Sequence, residues 1–414
     1  MAAANSSGEG DEDVYESYQQ ALTTIVDEKK LGEVSETLGI RRSSIYLKDI
    51  RTTGRHGIDE QRFAIKFTRY EGSDMPKDRL RELEALKDMS GSENILAQFA
   101  CEHRSGGKFT SVYQLLEPWE FTLSDTKLND KLIACGMSRL EVLKGLVKGL
   151  DFLSRCKTPI VHRGISPEAI RICKNGDIIR TKIADFDLAK RMFSGNFSTH
   201  SGSGVDDWKP LDKEATVKYD IFGAGLIFHH VLTNGHEISH RKLYRSATAH
   251  LLKKKDEREE NKLDLSELDK MITERQENPR KSDPEFFHLG AFRRLIGSML
   301  SRYPDKRPSA EEVSRHCALL SREESITFFE TLDSPGDSVT EENYAEKLED
   351  CFPQSECNKP LARFVRNRIV HFESSGRGNP EVKKAFGDKE SLLKYFLNLF
   401  PDLMVNAWEL KKKQ

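Results

Sequence analysis

The sequence predicts an α+β chain with a small sheet-rich lobe, a larger helical lobe and then a region that is helical throughout. Three observations predict it. Strand-like runs with alternating apolar positions concentrate early in the chain, between residues 40 and 117. Apolar residues at helical spacing dominate from residue 139 onward. From about residue 320 no strand pattern remains, which places a second domain there.

The elements follow in order. Residues 1–29 begin MAAANSSGEGDEDVYES, acidic and rich in small residues, and are expected to be a disordered lead-in. They lack the basic and apolar regions of a secretory signal. SSIYLKDI and RFAIKFTRY read as strands, and residues 76–89 as a helix with Leu80, Leu83, Leu86 and Met89 on one face. FTSVYQLLE (109–117) reads as a strand and 139–155 as a buried helix. YDIFGAGLIFHHVLT (219–233) is nearly all apolar and should be a central helix. Residues 292–319 read helix, turn, helix. The charged stretch 240–270 reads as a solvated helix pair, and 330–343 as a polar linker. The domains are therefore expected at 30–318 and 319–414.

Composition narrows the classes. Of 414 residues, 37% are hydrophobic, enough for a core, and the net charge of −2 gives no global field for nucleic acid or membrane. The balance is uneven: residues 359–414 hold 12 Lys/Arg against 6 Asp/Glu, a net of +6 that leaves the rest at about −8. Seven Cys at 101, 135, 156, 173, 317, 351 and 357 form no C-x-x-C pair, which argues against a disulfide framework or zinc site. No apolar run is long enough to span a bilayer. The expectation is a cytoplasmic protein without a membrane partner.

Two stretches carry the chemistry. The first is VHRGISPEAIRICKNGDIIRTKIADFDLAK, preceded by FAIKF and followed by KYDIFGAG and DKRPSAEEV. In that order and spacing these motifs resemble a protein kinase across roughly residues 30–318. By position, the resemblance gives Lys66 the nucleotide phosphates, with Glu82 (or Glu84) as its ion-pair partner, and Asp185 a single Mg²⁺ at most. His162, Arg163, Asp220 and Arg307 match positions that hold such a frame together. The catalytic positions are degenerate. Gly164 stands where the proton-accepting Asp belongs, and Ala169 where the second metal-binding Asn belongs. Of the glycine-rich loop only Gly39 remains, with Arg41 and Ser44 at glycine positions. Asp-Phe-Gly has become Asp-Phe-Asp, and WKPL (208–211) lacks the Glu of Ala-Pro-Glu. Losing the general base alone is worth roughly 10²–10⁴-fold in rate. Protein kinase activity is expected to be absent; ATP or ADP, with Mg, remains as a regulatory ligand.

The second stretch is KPLARFVRNRIVHFESS (359–375). Leu361, Phe364, Val365, Ile369 and Phe372 form one apolar helix face. Arg363, Asn367 and His371, four apart, make a stripe beside it, flanked by Arg366 and Arg368. A His to protonate a leaving oxygen, with Asn and Arg to hold phosphate, suits phosphodiester cleavage without metal, the RNA 2′-hydroxyl serving as nucleophile. Taken alone, such a helix is usually a solvated face. Following a kinase-like domain, together with YFLNLFPDL (395–403), it resembles the kinase-extension nuclease (KEN) family, that of the 2-5A-dependent ribonuclease and the inositol-requiring kinase/endoribonuclease. The resemblance implies that Arg366, Asn367 and His371 are active-site residues, that Arg363 and Arg368 assist with phosphate, and that Phe400 and Pro401 mark the join of the last helices. It implies an endoribonuclease that acts on RNA, leaves 2′,3′-cyclic phosphate ends, needs no cofactor for cleavage and works as a homodimer. The family's Tyr before the active-site helix is missing; the nearest upstream is Tyr344. That departure favours the alternative of an inactive pseudokinase–pseudonuclease that binds RNA or pairs with an active relative.

Overall fold

A computed structural model describes residues 18–26, 36–38, 43–54, 57–71, 89, 92–106, 108–192, 208–210, 212, 214–236, 265–280, 288–332, 344–348, 352, 359–373 and 380–413. The helix expected at 76–89, with Glu82 and Glu84, lies outside these residues apart from Met89, as do positions 39–42 and most of 240–270 and 330–343. The chain forms two compact units: residues 1–135, 148–209 and 213–220, and residues 136–147, 210–212 and 221–414.

The first unit is built on an antiparallel five-stranded sheet. Its strands β1 (Glu36–Leu38), β2 (Ser43–Gly54), β3 (Gly57–Glu71), β4 (Gln98–Gly106) and β5 (Phe109–Leu116) are arranged in the order β1-β2-β3-β5-β4. β3 is the central strand, pairing Lys66 with Ile45 on one side and with Gln114 on the other. On the sheet lies a helix, α1 (18–26), where a disordered lead-in was expected. The correction has a plain cause. Tyr18, Leu22 and Val26 recur every four residues, which makes an apolar stripe on a helix. Leu22 is fully buried against Phe63, Ile65, Ala100 and Leu115, and Tyr18 packs on the rings of Phe63 and Phe99 at 5.4 and 5.1 Å.

The unit also holds a three-stranded sheet, ordered β6 (Phe121–Thr122), β8 (Ile170–Asn175), β9 (Ile178–Ile183), and the short pair β7 (Ile160–Val161) and β10 (Lys190–Arg191). The β8–β9 hairpin turns at Gly176 and Asp177, where Gly176 has φ +59°, a conformation that favours glycine. Its register sets Ile170 opposite Ile183 and so brings Ala169 and Asp185 to the same end. Helix α2 (Leu128–Cys135) closes the first unit's part of this region.

Helix α3 (Arg139–Arg155) matches its expected span, and the apolar α4 (Val217–Leu232) starts two residues before the expected 219–233 and ends one before it. In the second unit, α5 (Ser266–Glu277), α6 (Leu289–Met299) and α7 (Ala310–Ser314) precede the C-terminal helices α8 (Arg322–Glu330), α9 (Leu361–Val370), α10 (Pro380–Phe386), α11 (Lys389–Leu399) and α12 (Leu403–Lys413). Ser309 and Ser321 each start a helix with a reciprocal capping box to Glu312 and Glu324. The C-terminal core is aromatic. Phe352 has ring contacts with Phe364, Phe386, Tyr395 and Phe396 between 5.4 and 6.0 Å. This core joins the earlier helices of the unit without a break. His288 Nε2 donates to Ser325 Oγ at 2.7 Å, and Gly290 of α6 lies against Pro401. A Cβ on Gly290 would sit 2.1 Å from the Pro401 carbonyl oxygen, so only glycine fits there.

Candidate functional site

The first candidate is the buried polar cluster of the kinase-like frame. His162 is fully buried; its Nε2 donates to the Ala184 carbonyl at 2.7 Å and its Nδ1 accepts from the Gly164 N–H at 3.2 Å. Burial holds this imidazole down to about 4, neutral in either direction of ordinary pH. Asp220 accepts the backbone N–H groups of His162 and Arg163 at 2.6 and 2.8 Å. Burial pushes its carboxyl up to about 7, against the pull of those donors and of Arg163. Arg163 holds a left-handed φ of 62° and donates from Nε to Leu188 O at 2.6 Å. The frame residues therefore act as scaffold. A Cβ at Gly164 would meet only ordinary contacts at 3.6 Å, so nothing steric demands glycine where the base is missing.

Lys66 is 3% exposed and donates to Asp185 at 2.7 Å and to Asp187 at 2.8 Å. Burial would lower its pKa, but the two carboxylates outweigh burial and hold it above the ordinary lysine range. Asp187, the last residue of Asp-Phe-Asp, thus partners the lysine. Asp185 adopts a left-handed backbone with φ 62° and ψ 55°. Burial would raise its carboxyl, yet Lys66 and Arg171 bring it down to about 2. Arg171 Nη2 donates to the other Asp185 oxygen at 3.0 Å. Both oxygens expected to take Mg²⁺ are held by nitrogen, and Ala169 offers no donor atom. The residues present do not fit the metal site that the frame implies. Among the described residues no group of three His, Cys, Asp or Glu side chains could hold a metal ion.

Arg307 is fully buried in the second unit, paired to Asp212 through two nitrogens at 2.6 and 2.7 Å, with Phe222 beneath at 5.1 Å. The carboxylate missing from WKPL is thus supplied one residue later.

The second candidate is helix α9. Leu361, Phe364, Val365 and Ile369 are buried, as expected, and Phe372 beyond the helix joins them. That anchored face fixes the opposite side. Arg363 is exposed there, and Arg366, Asn367 and His371 are half-buried. His371 caps the helix with φ −95° and ψ 9°, its backbone N–H donating to Asn367 O at 3.1 Å. Arg366 Nη1 donates to Asn367 Oδ1 at 3.2 Å, while the buried Arg366 Nε has no acceptor among the described groups. Arg368 does not join this face. It is 9% exposed and its guanidinium lies over Phe364 and Phe352 at 5.3 and 6.0 Å, because its position falls on the apolar side of the helix. Tyr344 is structural too: it is buried against Phe364 and Phe400, and its hydroxyl donates to Lys359 O at 2.8 Å. Phe400 caps α11, and Pro401 turns the chain into α12, as expected. A cavity of about 510 Å³ adjoins this turn, lined in part by Asp269, Arg293, Arg294 and Asp402; Arg293 pairs with Asp269, and Arg294 with Asp402 at 2.8 Å.

Sequence comparison agrees with both halves. The protein kinase domain family matches residues 52–318, and the Ribonuclease 2-5A family matches residues 309–414. The chain is 29% identical to the human serine/threonine-protein kinase/endoribonuclease IRE2 over 378 residues, 79% of this chain and 36% of that protein. It is 22% identical to Caenorhabditis elegans ire-1 over 377 residues, 81% of this chain and 36% of the relative. It is 23% identical to IRE1 of Oryza sativa subsp. japonica over 305 residues, 66% of this chain and 30% of the relative. The chain thus spans about a third of the length of these relatives. With the kinase frame, the RNRIVHF helix and both domain matches in one chain, the protein belongs to the kinase-extension nuclease family, a protein kinase domain followed by a Ribonuclease 2-5A domain.

Proposed function

We propose that this chain is a metal-independent endoribonuclease whose cleaving groups lie on α9 and whose kinase-like domain does not transfer phosphate. The observation that carries the reading is the outer face of α9. There Arg366 is bonded to Asn367 at 3.2 Å and keeps a buried Nε without an acceptor, while His371 closes the same helix one turn after Asn367. Such a pair can hold a phosphodiester, since guanidinium and amide donors match phosphate oxygens. His371 protonates the leaving 5′-oxygen as the RNA 2′-hydroxyl attacks phosphorus, which leaves a 2′,3′-cyclic phosphate. Arg363, exposed on the same side, adds a phosphate contact. The kinase-like domain serves as the surface through which two copies pair.

Tyr344 supports a second reading. Its hydroxyl donates to Lys359 O and its ring packs on Phe364, on the buried side of α9. In that reading the chain binds RNA or an active relative without cutting.

One assay separates the two. Purified protein incubated with RNA in EDTA should give 2′,3′-cyclic ends, with a rate rising faster than linearly in protein concentration. His371→Ala should lower the rate at least about 10²-fold, the low end for loss of an acid–base group. Cleavage unchanged in that variant removes the assignment, and no cleavage by wild type at any concentration selects the binding reading.

A further inference from the structure

The ion-pair cluster of the first unit contains a cation that the kinase-like frame does not call for. Arg171 lies in β8, between Ile170 and Ile172, and is 1% exposed. It stands directly opposite Lys182 on β9, so the hairpin sets two cations across from each other. Each is answered separately: Lys182 by Glu117 at 2.7 Å, Arg171 by Asp185 at 3.0 Å. With Lys66 on the first Asp185 oxygen and Arg171 on the second, a metal would meet a cation beside each oxygen. Lys66 and Arg171 balance Asp185 and Asp187, so the cluster is neutral as it stands. A divalent ion would sit beside two buried cations and would leave the cluster with excess positive charge.

Two further observations concern what the guanidinium does. Trp119 covers it, the ring centroid 4.4 Å from its central carbon, and Trp119 itself packs on Ala64, Leu96, Leu116, Cys173 and Ala184. Its Nε and Nη1 are buried and have no acceptor among the described groups. Buried donors of this kind are rare without a partner. The oxygens of a phosphate are the partners that a guanidinium edge fits best.

We propose that Arg171 stands in for the divalent metal at Asp185, which makes this cluster a metal-independent site for a phosphate-bearing ligand. The fixed charge answers Asp185 as a metal would, so that a phosphate meets a neutral cluster rather than a negative one. The two buried N–H groups left without an acceptor among the described groups orient the phosphate oxygens. The site is separate from α9 and does not depend on RNA cleavage.

The test is calorimetric titration of the full chain with ADP, in EDTA and in Mg²⁺. Wild type should bind ADP with the same affinity, within twofold, in both. Arg171→Leu leaves Lys66 facing two carboxylates, a net negative cluster with a free Asp185 oxygen. Its affinity should fall at least tenfold in EDTA and recover in Mg²⁺. Arg171→Lys keeps the charge and should keep metal-independent binding, which decides the matter even where the leucine variant does not fold. The proposal is overturned by wild type that binds no ADP in EDTA, by tenfold tightening with Mg²⁺, or by a leucine variant that binds like wild type in EDTA.

Discussion

At position 162 a histidine is held neutral by its own surroundings. One ring nitrogen donates and the other accepts, both to backbone groups, so a second proton would remove the acceptor. Burial sets its pKa near 4 against an ordinary 6.5. The folded state therefore binds fewer protons than the unfolded chain between these values, and stability is lost as pH falls through that window. The shift corresponds to about 3 kcal/mol. We expect the stability difference between wild type and His162→Gln to shrink by roughly that amount from pH 7 to pH 4, as read by urea unfolding. A difference independent of pH would show that the imidazole is not held neutral. Asp185 works in the same direction lower down: its carboxyl is held near 2, so its contribution is present above the ordinary carboxylate range and is lost below it. Comparing the two proteins cancels the opposite drift from Asp220, whose raised carboxyl favours the folded state at low pH.

Among the elements, α1 shows what pattern alone conveys. Leu22 is fully buried against β3, β4 and β5, so Leu22→Ala should cost about 2–5 kcal/mol in chemical denaturation. A cost under about 0.5 kcal/mol, the range of a surface change, would show that the helix is not docked. The acidic, small-residue start of the chain masked its spacing. Helix α3 was legible because a single apolar stripe over four turns leaves few alternatives, and α4 because an apolar run of its length fits a helix buried on all sides. On α9 the apolar face was legible for the same reason, but Arg368 was not. A charged residue on the inner side looks in sequence like its neighbours, and only the aromatic rings of Phe352 and Phe364 account for its burial. Arg171 and Asp187 share that difficulty. Their partners lie 14 and 121 residues away, and no local pattern announces an ion pair at such separations. Asp212 was nearer to hand, one residue beyond the expected motif, but its partner Arg307 is 95 residues on.

On the scale of the molecule, the second unit contains both the late helices of the kinase-like domain and the whole Ribonuclease 2-5A region. Its continuity runs through particular atoms. Asn398 Nδ2 donates to Pro279 O at 2.9 Å, Arg322 pairs with Glu390 at 2.7 Å, and Gly290 meets Pro401. Gly290→Ala would place a methyl group 2.1 Å from a carbonyl oxygen of the α11–α12 turn, backbone that cannot step aside like a flexible side chain. The expected result is destabilisation of about 1–3 kcal/mol, the usual cost of overpacking, in thermal unfolding of the full chain. Wild-type stability in that variant would mean that α6 and the turn are not in contact. The same contact sets a condition on protein engineers. A nuclease region transplanted onto a foreign kinase will seat only where the recipient helix offers a residue with no side chain at this point. The hydrogen of Gly290 is thus a compatibility key, and recipient scaffolds can be sorted by it before any are made.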